Sequence, residues 1–283
     1  MNLTRIDRRR CPCADRKVKN LRDKRALITG AGSGIGRAIA LELAHQGSHL
    51  WLLDINEITL ESAAVEARSR GIDVMARRCD LRRGDEIRSA FDEVLKTWSG
   101  IDILVNNAGI ICYGATENIS DQQWTELLAV NLTAPITLTR LFLPSLLKRP
   151  EAHIVNVCSI YGLVPYRRLA AYQTTKFALV GFSQSLRLEY GRRGLGITAL
   201  CPGLVQTDLI AAAERGGRVM GRLNFPTHLA VPPEQIALRA VRAIQKNEGL
   251  VVCTTHARAL WLVYRCFPRL LDRWQYWKRR LTG

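Results

Sequence analysis

The sequence predicts a single α/β domain built as a doubly wound, parallel, seven-stranded sheet with helices on both faces. Short β-branched or apolar runs alternate with longer segments of helical period from residue 25 to about residue 255. A glycine cluster joins the first run to the first helical segment, and no repeat or low-complexity linker interrupts the series.

The strand candidates are 25–30 (RALITG), 48–54 (SHLWLLD), 72–79 (IDVMARRC), 101–106 (IDILVN), 152–159 (AHIVNVCS), 195–201 (LGITALC) and 249–253 (GLVVC). Between them lie patterns such as Ile35, Ala38, Ile39 and Leu43, long enough to serve as the crossovers that parallel strands require. The chain of 283 residues, 47% hydrophobic and 23% charged, has a globular balance that excludes a disordered or fibrous protein.

The net charge of +16 sits at the ends: residues 1–25 carry ten Lys/Arg against three Asp, and residues 257–283 carry seven against Asp272 alone. A nucleic-acid footprint would spread over the fold, so no nucleic-acid partner is expected. The expected organisation is a basic N-terminal arm over 1–23, the α/β domain over 24–255 and a basic amphipathic extension over 256–283. After Pro268 the extension sets Leu270, Leu271, Trp274, Trp277 and Leu281 among Arg269, Arg273, Lys278, Arg279 and Arg280, a pattern suited to an anionic membrane surface or to docking on protein. Eight scattered cysteines and five scattered histidines make no zinc-like set, so no metal is expected. With no apolar leader or membrane-length apolar run, a cytoplasmic protein, peripheral on a membrane at most, is expected.

The first strand runs into Thr29-Gly30-Ala31-Gly32-Ser33-Gly34-Ile35-Gly36 and straight on into a helix. Glycines permit a tight turn and close approach to a pyrophosphate, and the helix N-terminus offers it free N–H groups. Asp54 closes the second strand, where a carboxylate accepts from ribose hydroxyls and repels a 2′-phosphate. That favours NAD over NADP, with Arg37 after the glycines as a counterweight. Tyr172 and Lys176 share one helix face at i and i+4, so the ammonium can stand beside the phenol and lower its pKa toward working pH.

Taken with Asp80-Leu81, Asn106-Asn107-Ala108-Gly109, Asn131, Ser159 and Pro202-Gly203 followed by Thr207, these motifs resemble the short-chain dehydrogenase/reductase family, in order over about 230 residues. The resemblance implies a Rossmann-type domain and an oxidoreductase that interconverts an alcohol and its ketone. It implies that Tyr172 is the general acid/base, that Lys176 holds the nicotinamide ribose, that Ser159 binds the substrate oxygen and that Asn131 holds a relay water. It also implies that Asp80 meets the adenine, Asn107 the ribose side, and Pro202, Gly203 and Thr207 the carboxamide end, with Gly30, Ser33, Gly34, Ile35, Gly36, Leu81, Ala108, Gly109 and Val205 along the cofactor. Relatives commonly pair through the helix bearing Tyr172, so a homodimer or homotetramer is expected.

Residues 160–171 and the connection from Leu204 to about Pro233 are expected to line the substrate side. Ile160, Tyr161, Leu163, Val164, Tyr166, Leu209, Ile210, Met220, Leu223 and Phe225 suit a bulky apolar secondary alcohol or ketone, steroid-, lipid- or retinoid-like. Arg167 and Arg168 could meet an anionic group on the substrate or a carrier, or be solvated. A 3-oxoacyl-carrier-protein reductase and a non-catalytic NAD-binding sensor are the alternatives.

Overall fold

The computed structural model describes residues 18–220 and 229–269. Most of the basic arm, Gly221, Leu223 and Phe225 of the substrate connection, and the Trp-rich stretch from Leu270 onward lie outside the described residues.

The expected sheet is present. Strands β1 (Arg25–Thr29), β2 (His49–Asp54), β3 (Val74–Arg78), β4 (Ile103–Asn106), β5 (Ala152–Val157), β6 (Leu195–Cys201) and β7 (Leu250–Val252) form one sheet in the order β3-β2-β1-β4-β5-β6-β7, every pairing parallel. Each crossover carries helix: α1 (Gly34–His45), α2 (Glu57–Arg68), α3 (Gly84–Trp98), α4 (Asp121–Leu128), α5 (Ala134–Leu146), α6 (Ala170–Tyr190), α7 (Leu209–Arg215) and α8 (Pro233–Lys246), followed after β7 by α9 (Thr255–Cys266). The winding reverses between β1 and β4, which opens a crevice beyond their carboxyl ends.

Because both faces are covered, β1, β2, β4, β5 and β6 are almost continuously buried instead of alternating. One core packs α1, α2 and α8 on one face, with Ile28, Ile39, Leu52, Val105 and Ile244 at its centre. The other packs α3 and α5 on Trp51, Leu104, Phe142 and Ile154, and Trp51 meets Trp98 edge-on at 5.3 Å. The segment Asp121–Leu146 is apolar enough by composition to cross a membrane, with mean hydropathy 1.4, but it holds Leu138, Phe142 and Leu146 inside this second core.

Two boundaries shift. Val18 and Leu21 are buried in the first core, and the Ser48 hydroxyl donates to the Leu21 carbonyl at 2.7 Å, so packing begins ahead of residue 24. At the other end Ala257, Leu260, Trp261 and Tyr264 of α9 pack on the sheet, so the fold continues past residue 255.

Polar groups cross the centre of the sheet in pairs. Asn106 donates to Asn156 at 2.8 Å, and Asn156 donates to the Ser183 hydroxyl of α6 at 2.8 Å, tying β4, β5 and α6 together. His153 stands 2.8 Å from the Thr198 hydroxyl, whose own hydrogen goes to the Glu248 carbonyl. The ring therefore donates from Nε2. Burial, helped by the charge of Arg187, pulls its pKa from 6.5 down to about 3. The unfolded chain then takes up this proton first, so the contribution to stability is complete above the unfolded value and is lost as pH falls below it. The wild-type thermal midpoint should drop between about pH 7 and about pH 5, and His153→Asn should flatten that part of the profile while lowering the midpoint at neutral pH, as followed by circular dichroism.

Candidate active site

The glycine turn leaves β1 with Gly30 at φ +64° and Gly34 at φ +51°, backbone that residues with a Cβ rarely adopt. Gly36 is required for another reason: a Cβ there would lie 2.0 Å from the Gly30 carbonyl oxygen. Ser33 is the N-cap of α1, yet its hydroxyl makes no capping bond and stays exposed. The result is a bare backbone cradle at a helix N-terminus, with the shape and polarity a pyrophosphate needs.

Asp54 stands at the end of β2 beside this cradle. Its carboxylate accepts from Gly32 N–H and Asn56 N–H, each at 2.9 Å, and among the described residues no cation pairs with it. Arg37 points elsewhere, into an ion pair with Glu66 of α2. Farther along the same edge, Asp80 is gripped by Arg82 through two guanidinium nitrogens and the backbone N–H, and this hydrogen bonding holds its carboxyl below the usual range. Leu81 packs its side chain against the second core.

The turn after β4 is held to the glycine turn by Thr29, a residue the motif reading passed over. Its hydroxyl accepts from Asn107 N–H at 3.0 Å and Ala108 N–H at 3.1 Å. Asn107, expected on the ribose side, spends its side-chain amide on the Thr29 and Gly30 carbonyls, at 3.0 and 3.1 Å. From β6, Pro202 is buried, Val205 bridges to Val231, and the Thr207 methyl sits where a Cβ on Gly34 would approach it to 3.0 Å. Thr207 thus overlooks the cradle from the far wall.

Ser159, Tyr172, Lys176 and Asn131 converge from three separate elements. Ser159 leads out of β5, Tyr172 and Lys176 lie on α6, and Asn131 sits in a π-helical turn, Ala129–Thr133, between α4 and α5. The wide turn interrupts the single long helix the sequence suggests and aims a buried amide inward. Asn131 accepts from Ile110 N–H and donates to the Ile110 carbonyl, both at 2.8 Å, and also donates to Thr175 at 3.2 Å. A Cβ on Gly109 would lie 3.4 Å from the Asn131 amide oxygen and 3.5 Å from Lys176 Nζ, so Gly109, Asn131 and Lys176 share one small space.

Lys176 Nζ is 5.7 Å from the Tyr172 ring centroid and donates to the Val157 carbonyl at 2.9 Å. Burial pushes the Tyr172 phenol up to about 12, the hydrogen bond with Ser159 opposes that rise, and burial also lowers Lys176. Desolvation is the largest influence on each group, and the buried phenol is held as an acid.

Around Tyr172 gather Ile111, Tyr113, Tyr161, Tyr166, Leu209 and Met220, an apolar wall from three connections. Ile160, Leu163 and Val164, expected on this wall, pack instead toward α6 and α9. Cys158 and Cys201 are buried in that same core, and among the described residues no group of His, Cys, Asp and Glu is placed to hold a metal.

Residues 24–216 match the family model of the short chain dehydrogenases. The chain belongs to this family. It is similar to D-beta-hydroxybutyrate dehydrogenase of Cupriavidus necator, 36% identical over 233 residues, covering 78% of this chain and 90% of that one. It is also similar to estradiol 17-beta-dehydrogenase 11 of Rattus norvegicus, 33% identical over 265 residues, covering 91% and 84%. Among solved structures, a short chain dehydrogenase/reductase from Burkholderia phymatum in complex with NAD aligns with TM-score 0.78 at 26% identity, over 89% of this chain and 96% of that one. The chain is therefore an NAD(P)-dependent oxidoreductase acting on CH–OH groups.

Proposed function

We propose that the protein interconverts a hydrophobic secondary alcohol and its ketone with NAD, and that Ser159, Tyr172, Lys176 and Asn131 carry the proton side of the reaction. The observation that carries this reading is the convergence of those four buried side chains beside an apolar wall, with the glycine cradle at the other end of the crevice. The cradle, Asp54 and the Thr207 wall fit a nicotinamide dinucleotide, which supplies or accepts the hydride when bound.

In the reducing direction the Tyr172 phenol gives its proton to the substrate oxygen, and Ser159 donates a second hydrogen bond where negative charge develops. Lys176 and Asn131 line the route by which the Tyr172 proton is restored. Asp54, with no cation paired to it among the described residues, favours unphosphorylated ribose hydroxyls, and Arg37 is occupied by Glu66. The relatives acting on a short hydroxy acid and on a steroid, by their names, bracket the substrate size that the wall of Tyr113, Tyr161, Tyr166 and Met220 accommodates.

We further propose that this cytoplasmic enzyme assembles as a homodimer or homotetramer and reaches anionic membrane surfaces through its C-terminal extension. In support, α9 buries one face and exposes another: Leu262 is 48%, Val263 42% and, just beyond the helix, Phe267 63% exposed, with Arg258, Arg265 and Arg269 also in solvent. Apolar surface edged by cations suits an anionic bilayer interface.

Tyr172→Phe should retain NADH binding, read by fluorescence, and lose nearly all turnover with hydroxysteroids or long-chain hydroxyacyl compounds; full turnover by this variant would refute the assignment. With the phenol at about 12, wild-type ketone reduction should stay level from about pH 6 to about pH 9, while alcohol oxidation should climb with pH as the phenol gives up its proton more readily. Asp54→Ala should shift the kcat/KM ratio toward NADP by about tenfold or more, a change worth about 1.4 kcal/mol. Full-length protein should float with anionic but not zwitterionic vesicles at low salt, and Leu262→Asp with Val263→Asp should weaken that binding.

A further inference from the structure

We propose that Arg167, Arg168 and Arg218 form an anion-recognition rim at the mouth of the substrate pocket, so that the physiological substrate carries a carboxylate or phosphate beyond the apolar part next to its reacting carbon. This rests on the hydride-transfer reading above and narrows its substrate class to an amphipathic one.

The three arginines come from two distant connections, and the backbones of Arg168 and Arg218 are joined to one short segment. Tyr113 N–H donates to the Arg218 carbonyl at 2.9 Å, and the next residue, Gly114, donates to the Arg168 carbonyl at 2.9 Å. Met220 N–H returns a bond to the Tyr113 carbonyl at 2.7 Å, so the Tyr113 segment is laced to both connections. Tyr113 belongs to the apolar wall around Tyr172, which places this junction at the edge of the pocket.

The backbone at Arg168 is held in a costly conformation. Among the described non-glycine residues, Asp23, Ser99, Arg168 and Asn247 have positive φ. Ser99 and Asn247 cap helix ends, and Asp23 has the short polar side chain that tolerates this region. Arg168, at φ +61°, has neither excuse. Backbone strain of this kind is retained where surrounding structure over-determines it, commonly at ligand sites. Here Leu169 is fully buried on one side and Tyr166 leans on Tyr161 with ring centroids 5.3 Å apart on the other, while Arg167 and Arg168 between them are exposed.

None of the three is ion-paired among the described residues, whereas Arg215, close by, pairs with Asp208, and Arg82 is held by Asp80 and, at 3.9 Å, by Glu126. Among the described residues Arg218 Nε is buried with no hydrogen-bond partner, while Nη2 of the same guanidinium reaches the Ala212 carbonyl at 3.5 Å. A buried guanidinium donor without an acceptor is costly, and anionic oxygens are the acceptors its planar fork fits best.

A free hydroxy-acid carboxylate and the phosphate of a carrier-bound thioester share this chemistry. The test measures reduction of one 3-oxoacyl chain as its free acid, its coenzyme A thioester and its neutral ethyl ester, beside a neutral ketosteroid. The wild type should prefer an anionic form over the ethyl ester, and whichever anion is preferred identifies the source. Arg167→Ala with Arg168→Ala, and separately Arg218→Gln, should cut that preference by about tenfold or more, mainly through KM and with a weaker salt dependence. Equal use of anionic and neutral forms by the wild type, or an unchanged preference in the variants, would overturn the rim while turnover of the ketosteroid leaves the hydride-transfer reading standing. Loss of every substrate, in a protein that still binds NADH, would overturn that reading too.

Discussion

Everything at the carboxyl edge of the sheet depends on how two neighbouring strands, β1 and β4, are fastened where the winding reverses. The chain departs to opposite sides there, so the two turns would drift apart unless something joined them. Thr29 and Asn107 do so with four hydrogen bonds, two into the Thr29 hydroxyl and two from the Asn107 amide. Each is buried or half-buried, where an unmade bond costs about 1–3 kcal/mol. The glycine turn keeps its shape because its far side is anchored, and Gly109 keeps its distance from Asn131 and Lys176 because the next turn is anchored by the same residues.

Much of this was legible in the sequence, for physical reasons that differ by element. Buried parallel strands read as unbroken apolar runs, and each expected strand lies within a residue or two of its observed bounds. The glycines were legible because only one residue type tolerates Gly30 and Gly36. Less legible was anything set by competition between partners. The motif places Asn107 beside the cofactor, but only the fold reveals that its amide nitrogen also reaches two carbonyls of the glycine turn. Tyr172 and Lys176 were correctly placed on one face, but their spacing cannot say how much water each loses, and desolvation decides the sign of the pKa shift. The π-helical turn under Asn131 has no sequence signature of its own, since Ala129-Val-Asn-Leu-Thr133 reads equally well as α-helix.

Thr29 shows the opposite kind of omission. It stands in the motif as the residue before the glycines, and the eye goes to the glycines. A buried hydroxyl at a strand end next to a reversal of winding is nevertheless a specific signal: it can donate once and accept twice, and the turn after β4 presents two successive N–H groups that need acceptors.

The seating of α9 sets a limit on how this domain can be cut. A Cβ on Gly203 would come within 2.5 Å of the Thr254 hydroxyl, 2.9 Å of His256 Nε2 and 3.1 Å of the Ala257 methyl. The first turn of the last helix is thus the outer lining of the Pro202-Gly203 bend, and that bend leads to Thr207 over the glycine cradle. An excised domain ending at the family match or at the last strand would leave this bend bare on one side. The smallest portable unit of the enzyme includes α9, and a handle or fusion partner belongs beyond it.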